Sequence, residues 1–169
     1  MRNVFSKLFS KSNSKSETSQ MSTGSLDYEK IIHLDAEDLA EQGMADAYQQ
    51  LLPELCKFIE HPAELSEILD TDVPEYKVQC GGQEYLIYSA EEPGTEEVSW
   101  ARATYFFFLI VNKQLTGTDV QFYAINRGND LGGLFLSLEQ AMSAQGVLPR
   151  KADWPYCPEL SAPWFGQFH

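Results

Sequence analysis

Hydrophobic positions step by three and four through Met44, Ala47, Tyr48, Leu51, Leu52, Leu55, Phe58 and Ile59. That spacing predicts one apolar face of a helix. Pro53 interrupts it, either as a kink or in the first turn of a separate helix. A short helix is expected just before it. Asp35 precedes Ala36-Glu37-Asp38-Leu39, and acid in a first turn suits the positive end of the helix dipole. Gly43 is expected to end or bend this helix, and Ala63 to Leu69 to add one or two helical turns after His61-Pro62.

The period then changes to two. Glu75 to Cys80 alternates as a strand does, Gly81-Gly82 follows, and Gln83 to Tyr88 alternates again. Two glycines between such runs predict a tight hairpin, whose turn needs positive φ. After an acidic loop at Ala90 to Gly94, the positions Trp100, Thr104, Phe107, Phe108, Val111 and Leu115 return to helical spacing. Tyr105, Phe106, Leu109 and Ile110 fill the opposite side, so this helix is expected to be buried all round. A buried strand over Phe106 to Val111 is the alternative. Thr95 is the expected cap, with Glu96 and Glu97 in the first turn, and Gly117 the expected stop.

Val120 to Ile125 reads as a strand, and Leu134-Phe135-Leu136 pairs back on it across Asn126 to Gly133. Ser137 and Gln140 form a capping box for a last helix that ends at Gly146. Pro149 to His169 is rich in proline and aromatics, and is expected to be irregular but docked. Together these elements predict an α+β domain. Its antiparallel sheet would have about four strands in two hairpins, covered by helices, with one largely buried central helix.

Charge divides the chain. Of 169 residues, 25 are acidic and 12 basic, a net −13. Arg2, Lys7, Lys11 and Lys15 stand against Glu17 in residues 1–20, a net +3. The remainder holds 8 basic and 24 acidic residues, a net −16. Residues 1–25 contain eight serines and read as a flexible basic leader; Met21 is an alternative start. Residues 26–169 read as one acidic domain. So acidic a body excludes a phosphate-gripping nucleic-acid binder, which needs Lys and Arg. The apolar run Ala103 to Val111 falls well short of the ~20 residues of a membrane span.

Catalytic chemistry finds little support. Cys56, Cys80 and Cys157 are scattered, which fits neither a disulfide framework nor a zinc site and suits a reducing cytoplasm. Cys56 reads as core. His33, His61 and His169 lack a nucleophile partner, and His33 is expected to be partly buried. Asp70 and Asp72 read as a turn rather than a carboxylate pair. The glycines of Asn126 to Gly133 match no phosphate-binding loop; Asn129 and Asp130 are expected to bond their own backbone. No catalytic residue, metal or cofactor is therefore expected.

Two stretches stand out as binding surface. One is the acidic set Glu91, Glu92, Glu96 and Glu97; the other is the loop residues Asn126, Arg127, Asn129 and Asp130. Phe5, Leu8 and Phe9 share a helical face beside Lys7 and Lys11, which supports an alternative as a membrane-surface or assembly factor. A further alternative is an enzyme around Asp130 and His33.

The segments Leu34 to Glu41, Phe122 to Asn126, Gly128 to Gly133 and Asp153 to Tyr156 look like those of small acidic bacterial proteins with no known catalytic role. More loosely, they resemble the immunity proteins of polymorphic toxin and contact-inhibition systems. The similarity spans roughly residues 30 to 166. It implies a small cytoplasmic α+β protein that caps a basic cognate toxin domain, and it transfers no catalytic residue. A polyanionic surface suits such a partner, because opposite charges speed encounter.

Overall fold

The computed structural model describes residues 26–70 and 72–169. The leader residues Phe5, Lys7, Leu8, Phe9 and Lys11 lie outside the described residues. In chain order the elements are β1 (Ile32–His33), α1 (Ala36–Ala40), α2 (Met44–Leu55), β2 (Leu65–Asp70), β3 (Glu75–Cys80), β4 (Gln83–Ser89), α3 (Ser99–Gln114), β5 (Val120–Ile125), β6 (Gly132–Ser137) and α4 (Leu138–Val147). The class is α+β.

Local chemistry sets several boundaries as expected. The Asp35 side chain accepts from the N–H groups of Glu37 and Asp38 and opens α1. Gly81 and Gly82 both take positive φ, 59° and 77°, and the β3–β4 hairpin turns on them. Ser137 and Gln140 exchange both bonds of the capping box at α4.

Three boundaries differ. Gly43 does not end α1: Gln42, at φ 71°, makes that turn, and Gly43 is the N-cap of α2. A Cβ on Gly43 would stand 2.6 Å from the Asp38 carbonyl oxygen, so the close approach of the two helices requires glycine. The second helix stops at Leu55 with Pro53 inside it, short of Phe58 and Ile59. Cys56 therefore leaves the apolar face and is exposed. Gly146 falls within the last turn of α4, which runs one residue further.

The largest difference is topological. Ala63 to Leu69 is not helical: from Leu65 onward it is β2, paired antiparallel with β3 from Leu65↔Cys80 to Asp70↔Glu75. Likewise Ile32 and His33 pair with Gly133 and Gly132. Each expected hairpin thus gains a third strand: β2 directly precedes β3 in the chain, whereas β1 comes from about a hundred residues before β6. One four-stranded sheet becomes two of three strands, ordered β2-β3-β4 and β1-β6-β5.

The main core lies between the sheets. Tyr76, Val78 and Ile87 meet Phe107 and Val111 of α3 and Phe122 of β5. A second cluster packs Tyr123, Ile125, Leu134 and Leu136 under Ala141 and Ala144 of α4. The β5–β6 sheet is therefore covered on both faces, which explains the unbroken apolar run along β5. The α3 helix is half buried rather than enclosed: Ala103, Phe107 and Phe108 are inside, while Trp100 is 42% exposed. None of the described helices is long and apolar enough to cross a membrane.

Polar side chains of α3 dress the strand edges, which would otherwise offer open backbone groups. Asn112 donates from Nδ2 to the Phe122 carbonyl at 2.9 Å and accepts from the Phe122 N–H at 2.7 Å. Two residues along the same β5 edge, the backbone of Tyr156 pairs with Ala124 in both directions. Arg102 donates to the Leu86 and Ile87 carbonyls of β4. Gln114 accepts from the Ala63 N–H and the Tyr48 hydroxyl, tying the end of α3 to α2 and the chain leading into β2.

Candidate functional site

The acidic segment leaves β4 and enters α3, but it does not start that helix. Thr95 is buried. Its Oγ1 accepts from the Ser89 N–H at 3.0 Å and lies 2.8 Å from the Glu92 carbonyl. The hydroxyl closes the turn behind it, so α3 begins only at Ser99, with Val98 at the cap and no acid in its first turn. Glu96 and Glu97 lose the helix-dipole role expected of them. Together with Glu91 and Glu92 they are exposed, and none of the four enters an ion pair among the described residues.

Strand register adds acids that the sequence keeps apart. Asp70 pairs with Glu75, and Glu75 with Ser89. The Ala90 N–H donates to the Pro74 carbonyl at 2.9 Å. One end of the first sheet therefore gathers Asp70, Asp72, Glu75, Glu91 and Glu92. Asp70 makes the expected turn, accepting from the N–H groups of Asp72 and Val73. Lys77 is ion-paired with Glu75. That bond, aided by the fields of Glu84 and Glu92, raises the Lys77 pKa. No three His, Cys, Asp or Glu side chains among the described residues are placed to hold a metal ion.

The glycine-rich loop builds a separate feature. Asn126 takes φ 59° and Gly128 φ 62°, while Arg127 between them is extended. The left-handed positions reverse the chain, and Gly128–Asp130 forms a single 3-10 turn before β6. The Tyr156 hydroxyl donates to the Asn126 carbonyl at 2.6 Å, which fastens the loop to the C-terminal tail. Asn129 reaches outward, donating from Nδ2 to Glu37 at 3.1 Å. Asp130 makes no side-chain bond to its own backbone among the described residues, so neither residue makes the turn bond expected of it. The Arg127 guanidinium lies 5.7 Å from the centre of the Trp164 ring.

A groove of about 600 Å³ runs along this loop, lined by His33, Asn126, Arg127, Asn129, Asp130 and Gln167 among others. His33 is exposed rather than partly buried, because its two-residue strand lies at the sheet edge. The groove thus brings together the two residues of the enzyme alternative. Among the described residues no hydrogen bond joins His33 to Asp130. Gln167 could not be singled out from sequence. Its signal was a polar residue between Phe165 and Phe168, in a tail expected to dock.

Burial pushes the Tyr156 phenol up to about 12, against an opposing field from Arg127. The unfolded chain would ionise it near 10, so the folded state holds this proton more tightly. The resulting stabilisation is complete below about pH 10 and is lost as pH rises through about 12. Urea unfolding between pH 8 and 12 should show stability falling only above about pH 10, less steeply in Tyr156→Phe. An unchanged slope in the variant would remove Tyr156 from the alkaline transition.

No family model matches this chain, and no curated protein or solved structure matches it either, so the geometry carries the functional argument.

Proposed function

We propose that this protein is a non-catalytic binding protein, an immunity-type inhibitor that caps a basic cognate toxin domain in the cytoplasm. The observation that supports it is the sheet end, where register sets Asp70, Asp72 and Glu75 beside the exposed turn carrying Glu91 and Glu92. Only Glu75 among these five is ion-paired with a lysine or arginine of the described chain. Like charges held side by side repel, and a cationic surface laid over them relieves that repulsion. Glu96 and Glu97 extend the same surface toward α3, and the Asn126 to Asp130 loop supplies a second contact.

The test is association kinetics with a basic toxin domain, to be sought among the reading frames that neighbour this gene. Reversing charge with Glu91→Lys and Glu92→Lys should slow association about tenfold or more at low salt. The gap should close as salt screens the field. An association rate unchanged by the double reversal at low salt would overturn the assignment of this surface.

A further inference from the structure

Two three-stranded sheets have four outer edges, and three of these are closed or short. Arg102 donates to the outward carbonyls of Leu86 and Ile87 on β4. Asn112 and the backbone of Tyr156 occupy β5. The β1 edge is two residues long. The fourth edge, β2, is six residues long, and among the described residues its backbone bonds to nothing but β3. Strand parity tells which groups stay open, because backbone groups along an antiparallel strand face alternate sides. The Ala90 N–H donates to the Pro74 carbonyl, and Cys80 closes a two-residue turn with Gln83. Tyr76, Val78 and Cys80 therefore turn their backbone groups to β4. The residues between them turn to β2 and meet Ser66, Ile68 and Asp70. That leaves the N–H and C=O groups of Leu65, Glu67 and Leu69 facing outward. Strand edges are ordinarily guarded by lysine or proline, and β2 has neither. Ile68 is 37% and Leu69 47% exposed. Between Lys57 and Lys77 the chain carries six acids and no lysine or arginine.

We infer that β2 is a docking edge, on which an extended segment of the partner, rich in lysine or arginine, adds as a fourth strand of the β2-β3-β4 sheet. The open backbone groups supply the pairing. Ile68 and Leu69, on opposite faces of the strand, supply apolar contact. The acids favour a cationic strand over a neutral one. A second copy of this chain fits less well, since β2 laid on β2 would set one acidic strand against another. The inference deepens the reading of a basic partner and rests on it: the edge runs at Asp70 into the acidic sheet end, and adds the backbone as a means of holding what the charge attracts.

The experiment is NMR of the full-length, isotope-labelled chain. In the free protein the backbone amides of Glu67 and Leu69 should exchange rapidly with solvent at every protein concentration. Protection that grows with concentration would give the edge to a second copy, and protection independent of concentration would show the chain covering it by itself; either overturns the inference. The titration uses three blocked peptides: alternating lysine and valine, the same peptide with every backbone nitrogen methylated, and alternating glutamate and valine. The first should shift the Glu67 and Leu69 amides saturably and slow their exchange. The methylated peptide keeps the charge and loses the donors, and should bind about tenfold or more weakly. The glutamate peptide should bind about tenfold or more weakly for the opposite reason. Leu69→Pro removes an outward donor and no bond to β3; it should weaken the lysine peptide about tenfold or more, with its own amide spectrum reporting that it is folded. Equal binding of the methylated peptide, or undiminished binding by Leu69→Pro, would overturn strand addition while leaving the acidic surface in place. Equal binding of the glutamate peptide would overturn the basic chemistry of the strand, and with it the reading of a basic partner.

Discussion

Phe122→Ala should lower unfolding free energy by about 3–5 kcal/mol, the usual range for emptying a buried phenylalanine site. The ring is fully buried and lies between two others. It stacks on Phe108 at 4.7 Å and 15°, and meets Phe135, its cross-strand partner, at 4.7 Å. It also occupies the space in front of Gly133, where a Cβ would run into the ring. Gly133→Ala alone should therefore destabilise by about 1–3 kcal/mol through overpacking. In the Phe122→Ala background the same alanine enters the vacated space and should be close to neutral. Urea denaturation of the four proteins in this cycle measures the coupling. Additive losses would show that the ring does not dictate glycine there.

Glu67→Ala should cost about 2–3 kcal/mol, although Glu67 is only half buried and sits on an edge strand. Its Oε1 accepts from the Ala45 N–H at 3.0 Å and from the Tyr76 hydroxyl at 2.7 Å. The first bond caps α2, whose own N-cap, Gly43, has no side chain to do so. The second satisfies the phenol of a fully buried tyrosine, whose pKa is raised first by burial and then by this bond. Alanine leaves two donors without an acceptor, and a stranded buried donor costs about 1–3 kcal/mol. Glu67→Gln keeps an acceptor and should lose about half as much. Tyr76→Phe should recover part of the loss in the Glu67→Ala background, by removing the stranded hydroxyl. Thermal unfolding of these variants distinguishes a cap-and-phenol role from simple loss of a surface charge; glutamine as damaging as alanine would contradict it.

Glu67 also shows why part of the fold was not legible along the chain. Its segment alternates weakly, with Ile68 and Leu69 both apolar, and helical turns are what it suggests locally. What makes it a strand is the register with β3 and the bonds to Ala45 and Tyr76, all of them distant or on another element. The same holds for β1, where two residues pair across about a hundred positions of sequence. By contrast, the Gly81-Gly82 turn, the Asp35 cap and the Ser137/Gln140 box involve neighbours a few residues apart, and each formed as its residues predict.

The candidate surfaces divide in the same way. Exposure of Glu91, Glu92, Glu96 and Glu97 follows from their charge. Their union with Asp70, Asp72 and Glu75 needed strand pairing. Arg102, Asn112 and Gln114 interrupt an apolar helical run and carried a usable signal: polar groups on a packed helix need partners. Which partners they take, the edges of β4 and β5 and the Tyr48 hydroxyl, is a matter of packing.

Residue order alone determined the α+β class, the tight hairpin, the principal helix caps and the strongly acidic body, because periodicity, turn chemistry and charge act between near neighbours or add along the chain. Only the tertiary structure decided that there are two sheets, that remote carboxylates share one end, and that Asn129 of the loop and Gln167 of the tail line one groove. Those outcomes depend on which distant backbone and side-chain groups meet, and a contact across the fold is chosen by burial and hydrogen-bond satisfaction of the whole chain at once.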